Sequence, residues 1–260
     1  MFSSRVASYL GNVFIDKTLS IGQFSLFVAE TFVQMFRPPF RFEIILQQID
    51  YMGRRSLDIV LLSGFFTGAV FGLQLGGIFQ IFGAEALMGG ATGKALTREL
   101  APLMVAFLTS GRTGSAMTAE IATMKVNEQV EAMESMAVDP ISYLVVPRVL
   151  ATAIIMPLLC IVFIFIGIIG AYVVATSLFE VDVGFFIDKI RDLVKFEDIY
   201  DGLIKSFIFS FVISFIACRV GLRAAGGAKG VGNATTQAVV LMLLTTLAFD
   251  FVITYIQFRW

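Results

Sequence analysis

Long uninterrupted runs of apolar residues dominate the chain, and the run from Ile154 to Thr176 is the clearest of them. About 20 apolar residues in a helix cross the roughly 30 Å of hydrocarbon in a bilayer. These runs predict five membrane spans, at residues 56–82, 95–119, 150–178, 203–220 and 238–258. We therefore predict an all-α polytopic membrane protein.

The first forty residues have a different pattern, one typical of a helix that lies along the membrane surface. Apolar side chains recur at helical spacing and polar ones fall largely on the other side; the apolar positions are Phe24, Phe27, Val28, Phe32, Met35 and Phe36. Pro38 and Pro39 then end the helix, since proline lacks the N–H that a helix requires. We predict an N-terminal interfacial amphipathic helix in residues 1–40 ahead of a membrane domain at 41–260, with a short true span as the alternative.

Composition agrees with a membrane protein and narrows its chemistry. The chain is 57% hydrophobic and 15% charged, with a mean hydropathy of +0.86, whereas about a quarter of the residues in a soluble domain are charged. A formal net charge of −1 does not indicate nucleic-acid binding. The absence of histidine removes the commonest metal ligand, so we predict no metal site and no catalytic residues.

The distribution of Lys and Arg predicts the orientation. Twelve of these residues fall on the side of the N-terminus and seven on the other side. Because positive charge concentrates in cytoplasmic loops, the N-terminus is predicted to be cytoplasmic and the C-terminus periplasmic. The charged segment 180–201 then lies outside, where we expect a short amphipathic helix or hairpin.

Two features of the first two spans suggest close packing and a polar site. Glycine recurs every fourth residue in the first span, at Gly64, Gly68, Gly72 and Gly76. Such a stripe drives close helix association in lipid, either with a helix of the same chain or with a second subunit. In the second span, Arg98 and Glu99 either face a watery cavity or reach the interface, and we expect Arg112 and Glu120 to form structural ion pairs with neighbouring loops.

Between the second and third spans, the segment 127–138 is predicted to be a short amphipathic cytoplasmic helix. Apolar residues form one stripe, at Val126, Val130, Met133, Met136 and Ala137. Asn127 is expected to cap the helix and Asp139-Pro140 to close it. Docking into another protein fits its acidic residues better than anionic lipid does, although the stripe could instead seat the helix under the spans.

No nucleotide-binding motif accompanies these features. The pair Gly93-Lys94 lacks the first glycine of a P-loop, and the glycine-rich stretch 221–236 is expected to be a tight inner loop. Uphill movement of a substrate would therefore draw its energy from another subunit or from an ion gradient.

Three stretches carry a family resemblance: RELAPLMVAFLTSGRTGSAMTAEIATMKVNEQVEAMESMAVDP, LVVPRVLA and GAKGVGNATTQAVV. In these the chain resembles the MlaE/YrbE family, the permease subunits of ABC transporters that work with MCE proteins in lipid trafficking. The resemblance implies a homodimer in the bacterial inner membrane and an outward-facing cavity for a phospholipid or a related lipid. It also implies an MlaF-like ATPase that uses ATP and Mg²⁺, an MlaD-like MCE protein, and in some systems an MlaB-like STAS protein. This chain would bind no cofactor itself and would not be an enzyme.

The resemblance also assigns residues. It places Arg98, Glu99, Phe71, Ile78, Phe79 and Phe82 at the lipid cavity. It identifies the segment 127–138 as a coupling helix that docks on the ATPase, with candidate contacts Asn127, Glu128, Val130, Glu131, Glu134, Met136 and Asp139. Two alternatives remain: an ion-coupled secondary transporter that uses Arg98 and Glu99, and a non-transporting scaffold for the MCE and ATPase subunits.

Overall fold

The computed structural model describes the backbone of residues 2–259 and the side chains of residues 18–257, so Met1 and the side chains of residues 1–17 in the predicted N-terminal unit lie outside it. Within these ranges the chain is helical almost throughout. Its α-helices are α1 (Phe2–Met35), α2 (Phe42–Ile81), α3 (Met88–Ala95), α4 (Ala101–Thr109), α5 (Ser115–Val126), α6 (Gln129–Ser135), α7 (Val146–Leu178), α8 (Val183–Leu193), α9 (Phe196–Leu222) and α10 (Gly227–Arg259).

Helices α2, α7, α9 and α10 are each long and apolar enough to cross a membrane, which confirms the prediction of an all-α polytopic membrane protein. The predicted second span, 95–119, lies on a helical run from Met88 to Val126. Two π-helical turns, Leu96–Leu100 and Ser110–Gly114, divide this run into α3, α4 and α5. No loop interrupts it, but none of the three α-helices is by itself long enough to cross a bilayer.

Several helices extend beyond the predicted spans. Helix α2 begins at Phe42 rather than at residue 56, and α10 begins at Gly227 rather than at residue 238. The predicted inner loop at 221–236 is therefore wrong, because only residues 223–226 are non-helical. Glycine disfavours helix by about 1 kcal/mol per residue relative to alanine. Here packing outweighs that preference, since Ala234 of α10 packs with Ala122 and Ala224 in one buried cluster.

The glycine stripe of α2 lies against α7 of the same chain. A Cβ atom on Gly68 would come within 1.8 Å of the Gly167 carbonyl oxygen, and one on Gly72 within 3.2 Å of the Ala171 Cα. Helix α7 presents a small residue in return, since a Cβ on Gly170 would lie 2.1 Å from the Phe65 carbonyl oxygen. Backbone therefore meets backbone along this interface.

Similar close contacts place α9 against the run from α3 to α5. A Cβ on Gly202 would lie 2.1 Å from the Thr97 carbonyl oxygen, and one on Gly221 would lie 3.1 Å from that of Thr118. Both ends of α9 are thus held against the same helical run, one at its first π-helical turn and the other at α5. The two contacts determine which side chains of α9 and of this run can meet.

The two peripheral helices pack on the bundle through one face each. On α1, Phe27 and Thr31 are buried, whereas Phe32 and Phe36 of the predicted apolar stripe remain exposed. The predicted outer segment contains α8, and the Asp182 carboxylate accepts the Gly184 N–H at 2.8 Å to cap it. Helix α8 then covers one end of α3.

Gly68→Ala is expected to destabilise the fold by about 1–3 kcal/mol or more, because the new methyl group overlaps the Gly167 backbone and the two helices must separate. Gly77→Ala on the same helix is the matched control, since a Cβ there meets nothing within 4 Å. Thermal unfolding of both purified variants measures the difference. Equal stability of the two would contradict the proposed backbone contact.

Candidate functional site

A cluster of charged and polar side chains lies inside the bundle around Lys205. The Lys205 side chain is fully buried, and its Nζ donates hydrogen bonds to Glu99 Oε2 at 2.5 Å and to Thr254 Oγ1 at 2.7 Å. Thr254 Oγ1 in turn donates to Glu99 Oε2 at 3.2 Å, and Asp250 Oδ1 lies 3.6 Å from Lys205 Nζ. Three helical segments therefore contribute to one polar cluster.

Local sequence explains how Glu99 reaches this cluster. Glu99 lies in the π-helical turn Leu96–Leu100, three residues before Pro102 in the first turn of α4. Proline has no N–H to donate to the carbonyl four residues earlier, so the regular hydrogen-bond ladder breaks at this point. The Gly202 contact then brings the outer part of α9, with Lys205, against this turn.

The charges in the cluster do not balance, since one ammonium faces the two carboxylates of Glu99 and Asp250. Asp250 Oδ1 is buried without a hydrogen-bond partner, and Lys205 uses two of its three N–H donors within hydrogen-bond distance. The Glu99 side chain is 37% exposed, which opens the cluster to the surface. Glu99 is therefore the member of the cluster that a polar ligand could reach, since the Lys205 side chain and Asp250 Oδ1 are buried.

The predicted pair Arg98 and Glu99 divides between two networks. Arg98 lies 3.6 Å from Asp198 and 4.0 Å from Asp201, and it donates to the Gln257 carbonyl at 3.3 Å. Asp198, which is almost fully buried, also lies 3.6 Å from Lys94. Arg98 thus fastens the start of α9 and the end of α10 to the π-helical turn, while Glu99 points into the Lys205 cluster.

The four apolar residues predicted for the lipid cavity occupy different environments near the end of α2. Phe79 packs against the buried cluster that contains Ala171 and Phe186. Phe71 is half-buried, whereas Ile78 and Phe82 are exposed. Among the described contacts, none joins these side chains directly to the Lys205 cluster, and Ile78 and Phe82 are open to lipid or to a second chain.

The predicted coupling helix exists as α6, but its ends differ from the prediction. Asn127 does not cap it, because α5 continues to Val126 and Asn127 ends that helix. The turn into α6 is made by Glu128 in the left-handed conformation, at φ 58°. Ala137, at φ 60°, ends α6 instead of Asp139-Pro140: the Val138 N–H donates to the Met133 carbonyl at 2.9 Å, and the Ala137 N–H donates to that of Glu134 at 3.0 Å.

Some side chains of α6 and its flanking residues pack on the bundle, whereas others are exposed. Val130 is buried whereas Met136 is 68% exposed, so only part of the apolar stripe seats α6 on the bundle. Asp139 accepts the Ile141 and Ser142 N–H groups at 3.1 and 3.2 Å, which caps the helical segment that leads into α7. Within the described part of the chain, Glu128 and Glu134 are exposed and form no ion pair.

Glu131 is not a free carboxylate, because Lys125 donates a hydrogen bond to it. The Lys125 ammonium lowers the pKa of the Glu131 carboxyl below its usual value. A lowered pKa in the folded chain means that the stabilisation is present above the ordinary carboxyl range and is lost as the pH falls through the lowered pKa. At neutral pH Glu131 is therefore charged and paired within its own chain.

The sequence-based prediction did not include Lys205, Asp250 or Asp198, although a signal for the first two was present. Both lie inside predicted spans, where an ionisable side chain is costly and indicates a polar site. It also left the partner of Glu120 open: the structure pairs Glu120 with the buried Arg148 at 2.9 Å. Arg112 is exposed and forms no ion pair among the described residues.

Comparison with known proteins decides the family. The model of the family described as Permease MlaE matches residues 45–256. The chain belongs to the MlaE permease family. This match covers all of α3 to α9 and nearly all of α2 and α10. Helix α6 and every residue of the polar cluster around Lys205 therefore lie within the family domain.

Named relatives of this MlaE-family permease come from several bacteria. The intermembrane phospholipid transport system permease protein MlaE of Haemophilus influenzae is 39% identical over 256 residues, which cover 96% of this chain and 97% of the relative. A probable ABC transporter permease protein of Rickettsia bellii is 37% identical, with 98% of both chains covered. Another, from Synechocystis, is 39% identical over 82% of this chain and 81% of its own.

Lys205→Met is expected to destabilise the permease by about 3–5 kcal/mol, because it leaves the Glu99 and Asp250 carboxylates inside the bundle without their ammonium partner. Lys189→Met is the matched control, since Lys189 forms only a surface pair with Asp192. Denaturant or thermal unfolding measures both. A Lys205→Met variant as stable as Lys189→Met would show that the buried ion pair contributes nothing.

Proposed function

We propose that this chain is the permease subunit of an ABC transporter that moves phospholipid, or a related lipid, between the inner membrane and an MCE-domain protein. A separate ATPase supplies the energy. The observation that carries the proposal is the buried Lys205 cluster, whose Glu99 lies on the helical run from Met88 to Val126 that leads into the turn before α6. The Haemophilus influenzae relative, named as a permease of intermembrane phospholipid transport, supports the choice of substrate.

The chemistry of the cluster suits a phospholipid headgroup. Glu99, which is partly exposed, can meet a headgroup amine, and the buried Lys205 ammonium holds its carboxylate in place. Glu99 provides access from the surface, and Ile78 and Phe82 offer exposed apolar side chains at the end of α2 for acyl chains. Arg98 lies next to the cluster and is not part of it; its contacts hold α9 and α10 in place.

A second copy of the chain would complete the lipid site. Most of the apolar stretch of α10 is not buried within the chain. Its exposed side chains include Leu244, Leu247, Phe251 and Tyr255. Lipid can cover such a face, but Thr254 and Asp250 of the polar cluster belong to the same helix. A homodimer formed through α10 would bring two polar clusters close to one cavity.

Coupling to the ATPase would pass through α6 into α5. Glu128 and Glu134 are the free carboxylates of this segment, so we assign to them the docking contacts with an MlaF-like ATPase. Movement of α6 would act on α5 and then, through the two π-helical turns, on Glu99. The π-helical turns are the points where the helical hydrogen-bond ladder is already altered, which suits them to a change of helix geometry.

The orientation and the partners follow from the same assignment. The α6 end of the bundle, with the N-terminus, faces the cytoplasm, and the Lys205 end and the C-terminus face the periplasm. An MlaD-like MCE protein would receive lipid at that outer end, and an MlaB-like STAS protein would bind the ATPase. ATP and Mg²⁺ are used by the ATPase, and this chain binds no cofactor.

ATP-dependent transfer of a fluorescent phospholipid from proteoliposomes to the MCE protein tests this function. Glu99→Gln is expected to slow the transfer at least roughly tenfold, because it removes a charge-assisted hydrogen bond at the site. Glu85→Gln, which changes a carboxylate near the same end of the bundle, is expected to transfer at the wild-type rate. Equal rates for the two variants would refute the assignment of the site.

Two further results of this assay would replace the proposal. Transfer driven by a proton gradient without the ATPase would establish an ion-coupled transporter. Full assembly with the ATPase and the MCE protein, but no bound phospholipid and no transfer, would establish a scaffold. Among the residues whose side chains the structure describes, the ionisable cluster is confined to one end of the bundle and provides no path of titratable groups across it, which favours ATP-driven transport.

Reversal of the free carboxylates of α6 tests the docking contacts. Glu134→Lys and Glu128→Lys are each expected to weaken binding of the ATPase by about 2 kcal/mol, or roughly 30-fold in Kd, because like charges then meet at the interface. Glu180→Lys is a matched control, since Glu180 shares the left-handed backbone of Glu128 but lies between α7 and α8. Kd values are measured by interferometry on detergent-solubilised chains. If Glu131→Lys weakened ATPase binding more than Glu134→Lys and Glu128→Lys do, that result would contradict the assigned docking contacts.

A further inference from the structure

A groove of about 1100 Å³ runs along the bundle between α1, α9 and α10. It exceeds the roughly 300–1,000 Å³ of pockets that enclose drug-sized ligands. None of the residues predicted for lipid transport lines it, and neither Lys205 nor Glu99 does. The groove is thus a second candidate site, separate from the polar cluster.

The wall formed by α9 changes from aromatic to cationic at a constant spacing. Every fourth residue faces the groove, in the order Phe207, Phe211, Phe215, Arg219 and Arg223. The ring centroids of Phe207 and Phe211 are 5.0 Å apart, and those of Phe211 and Phe215 are 5.9 Å apart. One helix face thus offers an apolar strip that ends in two positive charges.

Helix α1 forms the opposite wall and is joined to α9 by aromatic contacts. The ring of Phe32 lies 5.8 Å from that of Phe211 and 5.6 Å from that of Phe215. Phe24 and Val28 continue the same face of α1 along the groove. Whatever fills the groove therefore also touches α1.

The two arginines lack an anionic partner among the described residues. Both donate to the side-chain oxygen of Gln23, and the Arg219 guanidinium lies 5.5 Å from the centre of the Phe27 ring. No described carboxylate lies within 4.0 Å of either. The negative end of the α9 dipole amounts to about half a charge, which does not balance two guanidinium groups.

The position of these arginines identifies the leaflet. A Cβ on Gly221, between the two arginines, would lie 2.9 Å from Ile121 of α5, five residues before α5 ends and the chain turns into α6. Arg219 and Arg223 are thus at the α6 end of the bundle. From Arg223 to Phe207 the groove follows 16 residues of helix, or about 24 Å, which is most of the roughly 30 Å of bilayer hydrocarbon.

We propose that this groove binds an anionic phospholipid from the leaflet on the α6 side. The headgroup phosphate lies between Arg219 and Arg223, and an acyl chain follows the rings of Phe215, Phe211 and Phe207. The early polar residues of α10 that line the mouth, Asn233 and Gln237, donate to the remaining headgroup oxygens. The bound lipid contacts α1, α9 and α10 together. It is therefore a structural lipid that holds α1 against the bundle, and not the transported lipid.

Photocrosslinking with the full-length chain tests this proposal. Phosphatidylglycerol with a diazirine in its acyl chain is compared with the matching phosphatidylcholine, both in phosphatidylcholine vesicles that contain no ATPase. The wild-type chain is expected to crosslink phosphatidylglycerol at peptides that contain Phe207–Phe215. Arg219→Gln with Arg223→Gln is expected to reduce this yield roughly 30-fold, since each basic residue near an anionic lipid contributes about a fivefold factor.

Two controls separate this site from general attraction to lipid and from misfolding. Arg54→Gln with Arg55→Gln removes the same charge from an exposed pair outside the groove and is expected to leave the mapped crosslink unchanged. Thr245→Trp fills the groove without touching the arginines and is expected to abolish the crosslink while the helix content measured by circular dichroism stays at the wild-type value.

Three results would overturn the proposal. The first is equal crosslinking by the two lipids that persists in the arginine variant, which is the behaviour of ordinary surrounding lipid. The second is a crosslink between Phe207–Phe215 peptides of two chains, which would show that a second copy fills the groove. The third is full crosslinking in Thr245→Trp. Because no ATPase or transport is involved, each result stands independently of the proposed transport function.

Discussion

Close contact between helix backbones at glycine residues is the constraint on which the rest of this structure depends. In lipid, apolar side chains gain nothing by leaving their surroundings, so helices associate through close packing and polar contacts. Gly68 meets Gly167 between α2 and α7, Gly202 meets Thr97, and Gly221 meets the α5 backbone around Thr118. These contacts position the spans closely enough for individual polar side chains to meet across them.

The Lys205 cluster is one result of that packing. An ammonium and two carboxylates inside a bundle lose most of their hydration, and only short contacts repay this cost. The Gly202 contact places Lys205 against the turn that bears Glu99, and Arg98 holds the neighbouring helix ends through Asp198 and Gln257. The Glu99 carboxylate stays partly exposed at the edge of the cluster, so the geometry that stabilises the bundle also leaves one charged group open to the surface.

The two ends of the molecule carry different chemistry and are joined by one helical run. At one end are the Lys205 cluster and the exposed tip of α2; at the other are α6 and the arginines of α9. The run from Met88 to Val126 connects them without a loop, and its π-helical turns coincide with Glu99 and with Arg112. One helical run therefore joins the two ends of the bundle, and α1 contacts α9 through Phe32.

The sequence alone predicted four of the five spans, the glycine stripe, the amphipathic character of α6 and the family, because apolar length and helical spacing are properties of one segment. Tertiary structure decided what each segment meets: α7 for the glycine stripe, separate partners for Arg98 and Glu99, Lys125 for Glu131. It also moved the N-terminal cap position of α6 from Asn127 to Glu128, because α5 continues to Val126 and Asn127 ends that helix. The sequence of one helix determines which of its faces is apolar. The side chains that this face contacts come from helices distant in sequence, which become neighbours only when the backbones come into contact.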